Sequence, residues 1–171
     1  MHFRIAFILF LITSNLMLLR AQNVDELNRR NGFKTIKLGS PIDSVKGAVL
    51  KKAFLEKEEF LARLYETENA EYKTIGEVAV REIQLMTYKN LIYKIIVTTE
   101  KDPRLMRALE KSFGKAVYVL RTTSYSWKAE TLSLTFFAHK NDIELTYRSY
   151  PIYKMMLEDK GKKVDVMADD F

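Results

Sequence analysis

Apolar and polar side chains alternate in two runs, about Val78 to Tyr88 and Leu91 to Thr99, with Lys89-Asn90 between them. Alternation of period two marks a half-buried strand, and a short Asn-containing break marks a hairpin, so this region reads as two antiparallel strands. In the second, Leu91, Tyr93, Ile95, Val97 and Thr99 fall on one face and Ile92, Lys94, Ile96 and Thr98 on the other. The same period recurs later. Val117 to Arg121 is a short candidate, Ser124 to Lys128 places Tyr125 and Trp127 together, Leu132, Leu134, Phe136 and Ala138 share a face, and Ile143, Leu145 and Tyr147 follow a Lys140-Asn141-Asp142 turn. Near the start, Phe33 to Leu38 alternates with Ile36 and Leu38 in phase and predicts one short strand ending at Gly39.

Helix signals punctuate these strands. Ser40-Pro41-Ile42-Asp43 offers a cap, a proline whose missing N–H costs nothing and an acid near the positive end, with Ile42, Val45 and Val49 at helical spacing, which predicts a helix from Pro41 to about Val49. Asp102-Pro103 repeats the start signal, Leu105, Leu109 and Phe113 line one side, and Gly114 stops the helix. After Pro151 a short helix carries Ile152, Met155 and Met156. Leu50 to Asn69 satisfies both periods: its Lys, Glu, Leu and Ala content favours helix, while Phe60 to Tyr65 alternates like a strand. The elements together predict an α+β fold, a mainly antiparallel sheet with helices packed on one face. Their order suggests two similar halves sharing that sheet, although ordinary alternation of short elements gives the same sequence of events.

The N-terminal pattern has a different origin. Arg4 precedes the continuous apolar run Ile5 to Ile12, and Leu16 to Leu19 resumes it before Ala21. The stretch is shorter than the roughly 20 residues of a membrane-spanning helix and has the layout of a cleaved export signal. The expected organisation is therefore a signal peptide over 1–21, a single α+β domain over 22–159, and a flexible C-terminal tail over 160–171, where apolar density falls. Cleavage removes Arg4 and Arg20 and lowers the formal charge from +6 to +4. A periplasmic or secreted location follows, with no integral membrane segment after cleavage.

Composition narrows the chemistry. With no cysteine in the chain there are no disulfides, thiol nucleophiles or thiolate metal sites. The histidine beyond the leader, His139, falls at a hairpin tip beside Lys140, Asn141 and Asp142, where a solvated turn residue is expected. No serine sits in a nucleophile-elbow setting, no glycine-rich phosphate loop occurs among the six glycines, and no calcium-loop spacing is present, so no catalytic residue, metal ligand or cofactor is assigned. Carboxylates such as Glu66, Glu68, Glu71, Glu82 and Glu144 leave a carboxylate-dependent hydrolase as the alternative reading, with a charged rim as their ordinary role. Basic residues such as Lys34, Lys37, Arg104 and Arg107 interleave with acids in no nucleic-acid motif, so no nucleic-acid partner is expected. Late aromatics offer a surface instead. Phe137 is out of phase with Leu134 and Phe136, and an outward Phe137 with Tyr125, Trp127, Tyr147 and Arg148 makes a candidate binding surface, against a packed second layer as its plainer role.

Gly32-Phe33-Lys34-Thr35-Ile36-Lys37-Leu38-Gly39-Ser40-Pro41-Ile42-Asp43-Ser44-Val45, the hairpin through Tyr88 to Ile95, Leu109 to Lys115, and Trp127-Lys128 before two strands resemble small exported proteins of unknown function from Bacteroidota-type bacteria. The resemblance spans Gly32 to about Arg148 and implies a periplasmic α+β domain that binds or supports other envelope components, with no catalytic residues to carry over. More distantly, short helices ahead of the strands resemble β-lactamase-inhibitor-like domains and outer-membrane-assembly lipoproteins; the missing cysteine departs from the lipoprotein members. The expected function is a noncatalytic binding or envelope-accessory domain whose partner is an envelope protein, a peptide or a glycan.

Overall fold

The computed structural model describes residues 23–57 and 59–168, so the expected leader lies outside the described residues. Helix α1 spans Val24–Arg30, and strands β1 (Gly32–Phe33) and β2 (Ile36–Lys37) make a tight hairpin after it. Strands β3 (Ala48–Glu56), β4 (Phe60–Thr67), β5 (Thr74–Ile75), β6 (Val78–Tyr88) and β7 (Leu91–Glu100) precede helix α2 (Pro103–Phe113). Strands β8 (Val117–Val119), β9 (Ser124–Lys128), β10 (Leu132–Ala138) and β11 (Asp142–Ser149) follow, and helix α3 (Tyr150–Ala168) ends the described chain.

Nine strands form one antiparallel sheet in the order β3-β4-β6-β7-β11-β10-β9-β8, with β5 added beside β6. The α+β class and the antiparallel sheet are those read from the sequence. The order is two four-stranded meanders, each running inward from an edge, joined where their last strands β7 and β11 pair from Lys94↔Arg148 to Glu100↔Asp142. A helix precedes each meander. Antiparallel pairing of equivalent strands is the relation a local two-fold axis through the seam would give, so the similar halves suggested by the sequence exist at the level of topology.

Register fixes which side chains face which layer. Leu134, Tyr147, Ile95 and Leu85 follow one another across β10, β11, β7 and β6, and this face packs with Leu27 of α1 and Leu105 and Phe113 of α2 in the main core. The opposite face carries a second, smaller core at one end, where Phe60, Ala62 and Tyr88 meet Ile152 and Met156 of α3. Tyr88 donates its hydroxyl to Asp159 at 2.8 Å and Lys89 pairs with the same carboxylate at 2.6 Å, which fastens α3 to the β6–β7 turn. Lys89 and Asn90 both adopt positive φ (48° and 68°), as a two-residue hairpin turn requires.

Several local expectations change. The predicted strand Phe33–Leu38 is a hairpin, because Lys34 turns the chain at φ 51° and Phe33 pairs back onto Ile36. The predicted helix Pro41–Val49 is a single 3₁₀ turn over Ile42–Ser44: Ile42 and Val45 are buried anchors, and Gly47 at φ 74° redirects the backbone into β3. Leu50 to Asn69, readable both ways, supplies parts of two strands, with β3 as an exposed edge bulged between Leu50 and Lys52. Val117–Arg121 is a strand only to Val119 before a 3₁₀ turn. A β-bulge also interrupts β7: Met86 pairs with Lys94 and Thr87 with Ile92, so Tyr93 is the extra residue. Strict alternation would put Ile92 opposite Ile95, whereas the bulge resets the phase and both enter the main core. The short helix expected after Pro151 is instead 19 residues long, and positions 161–168 are fully on the surface.

Candidate functional site

The bulge at Tyr93 turns that ring and the following Lys94 toward the face that carries α3. Register then builds a row across the sheet: Ser133 of β10 opposes Arg148 of β11, Arg148 opposes Lys94 of β7, and Lys94 opposes Met86 of β6. Two cations therefore stand directly opposite each other at the centre of the sheet. Like charges in that relation are destabilising by themselves. Beside them a cavity of about 330 Å³ opens between the sheet and the start of α3, lined by Glu56, Tyr93, Lys94, Arg148, Tyr150 and Tyr153, among others.

Lys94 is deeply set, its side chain 12% exposed, and its ammonium lies 3.7 Å from the Glu56 carboxylate at the end of β3. Burial pushes the Lys94 ammonium below its ordinary range; Glu56 opposes the shift and the Arg148 guanidinium adds to it. Tyr93 donates its hydroxyl to Glu56 at 2.6 Å, and burial followed by this bond raises the phenol well above its usual range. Glu56 is thus shared between the Lys94 ammonium and the Tyr93 hydroxyl, while Arg148 stands exposed across the strand pair and Glu144, on the same face, also favours the charged form of Lys94. Lys57 stands 4.5 Å from the Tyr153 ring centroid and adds a third positive group at the rim. Ser149 caps the first turn of α3 loosely, accepting from the Ile152 N–H at 3.4 Å.

No family model, curated protein or solved structure matches the chain.

The arrangement can hold an anion. Its cations exceed its carboxylates, its donors are positioned by strands, and three tyrosines supply flat apolar sides. Among the described residues no group of three or more His, Asp or Glu gathers as a metal site, and no helix is long and apolar enough to cross a membrane.

The five residues expected at a surface do not converge. Arg148 lies in the cavity described above. Phe137 faces the same side of the sheet, half-buried and stacked on His139 with centroids 6.3 Å apart. Tyr125, Trp127 and Tyr147 belong to the other face. Trp127 is completely buried, its indole N–H donating to the Gly114 carbonyl at 2.7 Å and its ring edge-on to Phe113. The alternation rightly placed it beside Tyr125, but α2 covers the Trp127 end of β9 and leaves Tyr125 exposed between Tyr118 and Phe136. Tyr147 is buried beneath the α2 layer; burial raises its phenol, and nearby Arg30 opposes that rise. His139 is half exposed at its hairpin tip, 3.9 Å from Glu144. Sequence reading missed Lys94, Tyr93 and Glu56. The available signal was a lysine inside the otherwise apolar stretch from Leu91 to Val97.

Proposed function

We propose that the chain is an exported, noncatalytic binding domain of the cell envelope, and that its site takes an anionic group presented by an envelope peptide or glycan. The observation that supports this most is the directly opposed Lys94–Arg148 pair with Glu56 as its nearby carboxylate. A bound carboxylate would relieve the repulsion between the two cations, and charge-assisted hydrogen bonds to them are about twice as strong as neutral ones. Tyr93, Tyr150 and Tyr153 flank the cavity as a sugar ring or peptide plane requires. The export reading rests on the apolar leader, and the hydrolase alternative would need a second carboxylate converging on Glu56.

The test is a titration of the purified chain with galacturonate oligomers and with a short acidic peptide, read by backbone amide shifts. Saturable shifts centred on β7, β11 and the first turn of α3 are expected with one of the two ligands. Arg148→Ala should weaken binding about tenfold or more, the scale of one lost charged hydrogen bond. Absence of saturable shifts with both ligands, or unchanged affinity in Arg148→Ala, would refute the assignment.

A further inference from the structure

A separate cavity of about 360 Å³ lies on the other face of the sheet, between the β1–β2 hairpin and α2. Leu105, Leu109 and Phe113 of α2 and Leu145 of β11 make its walls apolar, and Tyr147 lies among them. Its mouth is cationic. Arg30, Lys34 and Lys37 all border it. Lys34 donates to the Glu71 carbonyl at 2.6 Å, and Lys37 donates to the carbonyls of Arg30 and Lys34 at 2.7 and 3.0 Å. These neutral acceptors fix the two ammonium groups without cancelling their charge. Arg30 pairs with Glu26 at 2.6 Å, but Glu26 also serves Arg29 at 2.8 Å, so one carboxylate answers two guanidinium groups.

Apolar walls with a few fixed polar groups at one end are the make-up of a small-molecule pocket, and this volume sits at the lower end of the roughly 300–1,000 Å³ such pockets occupy. We propose that this cavity is a second ligand site for a free amphipathic anion, with a short alkyl chain against Leu105, Leu109 and Leu145 and a carboxylate held at Arg30, Lys34 and Lys37. The guanidinium carbon of Arg30 stands 5.3 Å from the Phe113 ring centroid, so charge and apolar wall meet at one point, where the head of such a ligand joins its tail. An anionic lipid in a bilayer shares this chemistry. The cavity favours the free molecule because Leu145 and the rest of the sheet close its inner end.

Trp127, the only tryptophan in the chain, reports on the site because its ring lies 6.4 Å from that of Phe113, a wall residue. Titration of the full chain with octanoate should change its emission saturably, and octanol should bind at least about tenfold more weakly for lack of the charge. Arg30→Gln and Lys34→Asn, the latter chosen because asparagine accepts the positive φ at that position, should each weaken octanoate about fivefold or more. Ala108→Phe projects from an exposed position on the cavity rim and should block binding while leaving the circular dichroism spectrum unchanged. Lys162→Met, on the exposed end of α3 and away from the cavity, should leave the titration as it is. Equal affinity for octanol, undiminished binding in Ala108→Phe, or no saturable response would overturn the proposal. Sedimentation with phosphatidylglycerol vesicles that octanoate does not displace would overturn it in favour of a membrane surface.

Discussion

Replacing Lys94 by methionine separates a cation kept for a ligand from one kept for stability. Methionine matches the lysine stem in length and removes the ammonium group with its charge and N–H donors. At 3.7 Å from Glu56 the gross attraction is about 4 kcal/mol at an effective dielectric constant of about 20. Opposing it are the desolvation of a side chain only 12% exposed and the repulsion of Arg148 directly across the strand pair. The Lys94 ammonium lies below its ordinary range, so these opposing effects outweigh the attraction. Glu56 keeps the Tyr93 hydroxyl bond in the variant. Lys94→Met should therefore hold stability or raise it by up to about 1 kcal/mol, whereas breaking an ordinary buried ion pair costs about 3–5 kcal/mol. Urea denaturation at pH 7 measures the difference, with the slope checked for constancy. A loss above about 2 kcal/mol would show that the pair stabilises the fold and would remove the case for an unsatisfied cation. The pH dependence has a fixed sign. As pH rises from the lowered folded value of Lys94 toward the unfolded value of about 10.4, the unfolded chain binds more protons, so the wild type gains stability relative to Lys94→Met.

Gly32 holds φ at 141°, and a Cβ there would run into the Ile36 carbonyl oxygen, so Gly32→Ala should lower stability by about 2 kcal/mol or more in urea; a loss below about 0.5 kcal/mol would mean the β1–β2 hairpin is not firmly closed. Deletion of residues 161–171 should change stability by less than about 1 kcal/mol, because positions 161–168 are exposed and the Lys160–Glu59 pair is retained. A loss above about 2 kcal/mol in thermal unfolding would show that this stretch docks.

Local physics made much of the fold readable. The β6–β7 hairpin needed only alternation and a turn that accepts positive φ, and α2 needed Asp102, Pro103 and Gly114, all of which act within a few residues. Asp102 does accept from the Arg104 N–H at 2.7 Å. The Pro41 region carried equally good starting signals, but the chain leaves helical geometry at Val45, which is extended, and Gly47 at positive φ then turns it into β3. Leu50 to Asn69 stayed ambiguous because β3 is an edge strand whose Val49, Leu50 and Leu55 remain exposed, so burial never imposed a period on its sequence. The site was less legible. Arg148 stood among the candidates, yet its value depends on Lys94 lying opposite it, and that pairing joins segments separated by a helix and three strands. Trp127 illustrates the converse: a large aromatic in a strand carries no mark of whether a distant helix covers it.

The β7–β11 seam also sets the order in which the molecule can assemble. Within each meander neighbouring strands follow closely in sequence, and such local contacts form with little loop-closure entropy. The seam joins strands far apart in sequence, so its closure is expected to follow formation of the two hairpin arrays. Lys94 and Glu56 lie on one array and Arg148 with Ser133 on the other, so the proposed anion site would be complete only when the arrays meet. A ligand bridging Lys94 and Arg148 would then act as a clasp on the last step of folding. It should slow amide exchange along β7 and β11 together by mass action while leaving the outer hairpins to exchange at their own rates.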